Sequence, residues 1–151
     1  MELNTAAAVI RFAEEVEEKS AQFYVDCAKK YKEGEEQFLS FARENKKNAS
    51  LVKRAYYGVI SDALEACFSF KGLTVEEYLF DTEFDEKAGL PEILKMSLEI
   101  EDKIQKFYQR AGELSESLLA DVPRALKKVA GKRNERKQKL EALLNSTRCA
   151  R

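Results

Sequence analysis

The sequence contains no histidine, and among its 151 residues there are only two prolines, six glycines and three cysteines. Without histidine, the chain has no imidazole to act as a metal ligand or a general base. With so few prolines and glycines to interrupt secondary structure, long helices are expected rather than many short strands. Cys27, Cys67 and Cys149 are widely separated and form no CxxC pair. This spacing disfavours both a disulfide framework and a four-thiolate metal site.

Long apolar runs and a strong net charge are also missing. No run approaches the ~20 apolar residues that a membrane span requires, and residues 1–18 reach acidic side chains too early for a signal peptide. The net charge of −1 gives no bulk attraction to nucleic acid or to a membrane. We therefore expect a cytoplasmic protein with no membrane partner. The length fits a single domain over residues 1–151.

The sequence does contain an internal repeat. The stretch EVEEKSAQFY at residues 15–24 recurs as EIEDKIQKFY at residues 99–108. Glu17 matches Glu101, and Tyr24 matches Tyr108. A repeat in which identities and polarity are both preserved indicates two halves built on one plan.

Apolar residues at every third or fourth position predict four amphipathic helices. The first is predicted to run from about Asn4 to about Lys30, with Asn4 or Thr5 as its N-cap. The second follows the break at Gly34, and its apolar face continues as far as Ala63. Gly58 is expected to weaken this helix rather than to end it.

A long connection separates the second helix from the third. It covers about residues 67–90, which is enough chain to cross a whole bundle, and Thr74 to Glu77 has the spacing of a capping box before a short helical turn. Pro91 suits the first turn of the third helix. Asp121 and Pro123 open the fourth. The tail, residues 145–151, is expected to fray.

Each predicted helix carries polar side chains on its apolar face. They are Glu17 on the first, Asn45 and Asn48 on the second, Glu101 on the third, and Arg133 and Arg136 on the fourth. The pairs on the second and fourth helices are both three residues apart and lie at the same depth. Polar and charged groups in such positions need partners.

These features resemble the ferritin-like superfamily, in particular its rubrerythrin-like subgroup, over about residues 5–145. The resemblance implies an all-α, antiparallel four-helix bundle with a long crossover between the second and third helices. In that family a Glu from each of two helices and a Glu-x-x-His from each of the other two hold a di-iron centre. Glu17 and Glu101 match the single glutamates, and a Phe-Tyr pair typical of rubrerythrin-like sequences follows each of them.

The Glu-x-x-His motifs are not matched. Their positions hold Asn45 and Asn48 on the second helix, and Arg133 and Arg136 on the fourth. A shift of register by one residue brings in Glu44 and Glu135, but the residues three positions further on are then lysine and glutamine. Arginine is permanently protonated and repels a divalent cation. We therefore interpret the six positions as a degenerate di-iron site with no metal, no cofactor and no catalytic residue.

The charges suggest what fills the interior instead. Two guanidinium groups balance two carboxylates, so Arg133 and Arg136 are predicted to form buried ion pairs with Glu17 and Glu101. The asparagines, together with Tyr24 and Tyr108, are placed to complete this network. It either closes the interior or forms a site for a small molecule or anion.

The resulting interpretation is a non-catalytic protein with a structural or interaction role, acting as a homodimer through a helix face, by analogy of fold. One alternative is a metal-binding oxidoreductase of the rubrerythrin or peroxidase type with atypical ligands. Another is a small-anion or nucleic-acid binder that uses the basic fourth helix, whose cations are Lys127, Lys128, Lys132, Arg133, Arg136, Lys137 and Lys139. Because they surround the helix and include no aromatic residue, a solvated or salt-bridged face is favoured over nucleic-acid binding.

Overall fold

The fold is that of a computed structural model, which describes residues 2–59, 70–116 and 121–149. Its four long helices are α1 (Ala6–Lys30), α2 (Glu35–Val59), α3 (Leu90–Leu114) and α4 (Asp121–Cys149). Short 3₁₀ turns lie at Lys32–Gly34 and Val75–Tyr78. The predicted all-α four-helix bundle is confirmed. Within the described ranges, no helix combines the length and the hydropathy needed to cross a membrane.

The helix starts follow the capping signals of the sequence. Thr5 Oγ1 accepts a hydrogen bond from Ala8 N at 3.0 Å, so Thr5 is the N-cap of α1 and the helix begins at Ala6. Pro91 lies in the first turn of α3, directly after Gly89 and Leu90. A proline is tolerated there because the first turn of a helix has no acceptor for its missing N–H.

Two predictions at the ends of elements are wrong. Residues 145–149 belong to α4 and do not form a frayed tail, because the apolar stripe continues through buried Leu140 and Leu144. The side chain of Thr74 forms no cap hydrogen bond, and the turn after it is closed by the backbone instead, from Glu77 N to Thr74 O at 3.2 Å. The predicted extension of α2 to Ala63 lies outside the described residues.

Residues 70–89 lead into α3. They run alongside α1 over its whole length. The contacts that fix this path are Leu3 N to Leu73 O at 2.7 Å, Lys19 Nζ to Phe80 O, and Tyr31 Oη to Ala88 O at 2.6 Å. The connection therefore spans the length of the bundle, as predicted. Such a crossover lets α2 and α3 run in the same direction, while α1 and α3 run antiparallel.

The core is apolar along most of its length, with a polar layer near its middle. Aromatic rings pack beside this layer: Tyr24 stacks on Phe38 at 5.9 Å between centroids, and Phe107 stacks on Tyr108 at 5.2 Å. The polar layer consists of buried residues from all four helices: Glu17, Ser20, Asn45, Asn48, Glu101, Arg133 and Arg136. Their burial makes this layer the candidate site.

Candidate functional site

The four charged side chains predicted for the centre of the bundle do meet there. Glu17 is 2% exposed, Glu101 and Arg133 are 0% exposed, and Arg136 is 1% exposed. Each projects from the apolar stripe of its own helix, so packing of the stripes brings the charges together. Charged groups this deeply buried persist only when they are paired and hydrogen-bonded.

Arg133 of α4 lies between the two buried carboxylates. Its Nη1 donates to Glu101 Oε1 at 2.8 Å, and its Nη2 donates to Glu17 Oε2. Nη2 also lies 3.4 Å from Ser20 Oγ. One guanidinium group therefore joins carboxylates from α1 and α3, and the ion pairs expected from the charge balance are present.

Arg136 lies one turn further along α4 and uses all three of its nitrogens. Nη1 donates to Glu101 Oε1 at 3.3 Å, Nη2 to Phe41 O at 3.0 Å, and Nε to Glu44 Oε1 at 3.1 Å. The guanidinium carbon also lies 5.0 Å from the Phe41 ring centroid, within cation–π range. The pairing with Glu44 was not predicted. The only feature of the sequence that pointed to this pairing is the position of Glu44, which directly precedes Asn45 at the edge of the buried face of α2.

The two repeated tyrosines complete the carboxylate contacts. Tyr24 Oη donates to Glu101 Oε1 at 2.6 Å, and Tyr108 Oη donates to Glu17 Oε1 at 2.7 Å. Each tyrosine therefore binds the glutamate of the other repeat. Both rings are fully buried, so each phenol supplies an apolar body and one hydrogen bond.

The asparagines of α2 do not bind the carboxylates, contrary to the prediction. Asn45 Nδ2 donates to Glu17 O and to Ser20 Oγ, both at 2.8 Å, which ties α2 to the backbone of α1. Neither amide atom of Asn48 has a hydrogen-bond partner among the described residues. The same holds for Asn45 Oδ1, Glu101 Oε2 and Arg133 Nε. Leaving such buried groups unpaired costs about 1–3 kcal/mol each.

Both burial and neighbouring charges shift the pKa values of these groups. Burial raises the pKa of Glu17, while Arg133 and the hydrogen bond from Tyr108 oppose that rise. Burial also raises the pKa of Tyr24 and of Tyr108 well above 10, and the facing carboxylates add to the effect. Both phenols therefore stay protonated and act as donors. Burial lowers the pKa of Arg133, but Glu101 and Glu17 outweigh it and the net pKa is raised.

These residues do not fit a two-metal centre. Glu101 Oε1 and Glu17 Oε2 already accept hydrogen bonds from Arg133, whose guanidinium group is a donor only. Two fixed positive charges at this site also repel divalent cations. Within the described residues, no group of three or more His, Cys, Asp or Glu side chains is arranged to hold a metal ion.

The fold is similar to that of a solved structure. That structure is of a Thermotoga maritima protein with a provisional assignment as a ferritin-like diiron-carboxylate protein. The TM-score is 0.76, the sequence identity is 17%, and the match covers 97% of this chain and 99% of that one. At this identity the likeness shows a ferritin-like fold and no more. No protein-family model matches the chain, and no curated protein matches it.

Proposed function

We propose that this chain is a rubrerythrin-like bundle that has lost its di-iron site and works as a non-catalytic structural or interaction protein. The observation that carries the proposal is the position of Arg133, with one guanidinium group bonded to carboxylates from two helices. Together with Arg136, which also pairs with Glu101, it supplies two positive charges to the two buried carboxylates from within the chain. The rubrerythrin-like assignment rests on the Phe-Tyr pair that follows Glu17 and Glu101.

The interaction role is best supported by a groove of about 800 Å³ between α1 and α2. Its floor is formed by half-buried apolar side chains: Ala21, Val25, Leu39, Ala42 and Ala49. It also reaches Glu17 and Asn45 of the polar layer. An occupant seated in this groove would cover its apolar floor, and burial of that floor would stabilise the complex.

The occupant we propose is a second copy of this chain. On the α1 side the rim carries Glu18, and on the α2 side it carries Arg43 and Lys46. A two-fold axis through the groove places the α1 rim of one copy on the α2 rim of the other. Acidic and basic rims then face each other twice, which favours a homodimer over association with an unrelated surface.

Metal analysis tests the loss of the di-iron site. The protein is purified without a histidine tag, incubated with iron(II), manganese(II) or zinc(II) and dialysed, and its metal content is then measured by elemental analysis. We expect no stoichiometric metal, because asparagine and arginine stand where these metals would need carboxylate and imidazole ligands. Two metal ions per chain that are lost on changing Glu17 or Glu101 would overturn the proposal and support a metal-dependent oxidoreductase.

A further inference from the structure

A second groove, of about 460 Å³, lies between α2 and α4 on the surface of the bundle. Five of its seven lining residues are cations, and no carboxylate is among the seven: Lys46, Lys47, Ser50, Leu51, Arg54, Lys128 and Lys132. On α2, Lys47 and Arg54 are seven residues apart, and on α4, Lys128 and Lys132 are four residues apart. Residues four or seven apart share one helix face, so both helices present cations to the same space.

These cations differ from the other basic residues of α4. Lys127 pairs with Glu116, Lys137 pairs with Asp102 at 2.9 Å, and Arg133 is buried in the polar layer. None of the five cations in the groove forms an ion pair within the described part of the chain. The basic face of α4 is therefore salt-bridged in part, through Lys127 and Lys137, which agrees with the solvated or salt-bridged face favoured by the sequence. Of the cations of α4, Lys128 and Lys132 line the groove on the side towards α2.

Unpaired like charges in one groove repel each other and create a local positive potential. The net charge of the chain is only −1, so this potential is a local property of the groove. An anion bound there gains charge-assisted hydrogen bonds and relieves the repulsion. With cations on both walls, an anion with two or more charged groups can contact both helices at once.

We propose that this groove binds a small ligand that carries two or more phosphate groups. Its volume lies in the range of small-molecule sites, roughly 300–1,000 Å³. The phosphates would accept hydrogen bonds from lysine and arginine, and Ser50 adds a hydroxyl donor. No aromatic side chain lines the groove, so bases have no surface on which to stack, and this disfavours single-stranded nucleic acid. The proposal does not depend on the state of the buried Arg133 site, because it uses none of those residues. It shares only Lys46 with the groove between α1 and α2, and the other four cations lie outside that groove.

Binding of inorganic triphosphate by the full-length protein tests this inference. Calorimetry at low ionic strength is expected to show saturable binding of one triphosphate per chain that weakens as salt is added. The double variant Lys47→Gln/Lys132→Gln removes one cation from each wall and should weaken binding about tenfold or more. The control, Lys29→Gln/Lys95→Gln, makes the same charge change at exposed residues outside the groove. It should keep the affinity of the wild type.

Several results would overturn the proposal. One is no saturable heat at about millimolar triphosphate, the weak limit for a specific small-ligand site. Another is equal weakening by both double variants, which would mean that only net charge matters. Duplex DNA that displaces triphosphate and binds more tightly, with the same loss in Lys47→Gln/Lys132→Gln, would make the groove a nucleic-acid surface. Circular dichroism confirms that both double variants are folded, which is expected because they change surface side chains.

Discussion

Tyr24 of α1 donates a hydrogen bond to Glu101 of α3 at 2.6 Å, across the interior of the bundle. The reciprocal bond runs from Tyr108 to Glu17 at 2.7 Å. Because the glutamate and tyrosine of each repeat are seven residues apart on one helix face, antiparallel packing of α1 and α3 brings each tyrosine onto the other glutamate. Arg133 of α4 also links α1 and α3, because its guanidinium group bonds to both Glu17 and Glu101.

Removing either tyrosine hydroxyl should destabilise the fold. Tyr24→Phe and Tyr108→Phe each leave a buried carboxylate oxygen with one donor fewer. A hydrogen bond to a charged group contributes roughly 1.5–3 kcal/mol, so each change should lower the free energy of unfolding by about that much. Urea unfolding measures it. Tyr57→Phe is the control, since Tyr57 is 68% exposed and should change little. If Tyr24→Phe behaves like Tyr57→Phe, the hydrogen bond to Glu101 contributes nothing.

The effect of pH should distinguish Glu17 from carboxylates on the surface. Its folded pKa is raised above the usual value of 4.5, so protonated Glu17 contributes stability that is fully present below 4.5 and is lost as pH rises through the folded pKa. Glu17→Gln cannot ionise. As pH rises above 4.5, the wild type should therefore lose stability relative to Glu17→Gln until the pH has passed the folded pKa.

Unfolding curves at several pH values measure that difference directly. Glu15→Gln is the control: Glu15 lies on the exposed side of α1, and its removal should not reproduce the trend. If the wild type instead gains stability over Glu17→Gln as pH rises, then Arg133 and Tyr108 outweigh burial and the folded pKa of Glu17 is lowered.

The proposed dimer can be tested by exchanging charges across the groove between α1 and α2. Glu18→Arg and Arg43→Glu each place like charges opposite one another in a two-fold dimer, so each alone should shift the protein towards the monomer. The double variant restores opposite charges and should restore the dimer. Size-exclusion chromatography with light scattering gives the mass. The control is Gln138→Glu, which changes the charge at an exposed residue of α4 outside this groove. A wild type that stays monomeric at high concentration would rule out the dimer.

Replacing the whole buried charge cluster should cost less than dismantling it one residue at a time. When Glu17, Glu101, Arg133 and Arg136 are all changed to leucine or methionine, no charge is left without a partner. The loss in free energy of unfolding should therefore be far smaller than the sum of the four single losses. Additive losses in chemical denaturation would show that the four residues do not act as one network.

The fold could be predicted from the sequence because the repeat and the helical spacing indicate the same arrangement. The pairing of Arg133 with Glu17 and Glu101 followed from matching positions on the four helices and balancing their charges. Sequence patterns of this kind place residues at the same depth in a bundle. They do not give the distance between side chains at the edges of two helices, which is why the contact between Arg136 and Glu44 was missed.

Other parts of the structure depend on neighbours that are distant in the sequence. The basic residues of α4 look alike in the sequence, but their surroundings differ: Lys127 pairs with Glu116, whereas Lys128 and Lys132 line a groove together with cations of α2. The polar composition of residues 145–149 likewise suggested fraying, because the burial of Leu144 beneath them is a property of the packed bundle. Local patterns cannot supply such information.

The central claim is that guanidinium groups neutralise the buried carboxylates, and Arg133→Met tests it most directly because Arg133 bonds to both of them. Removing this cation leaves Glu17 and Glu101 short of a buried partner and should lower the free energy of unfolding by on the order of 3–5 kcal/mol. Arg110→Met, which breaks an exposed pair with Glu113, should cost only roughly 0–1 kcal/mol. An unfolding midpoint for Arg133→Met that equals that of the wild type would contradict the claim.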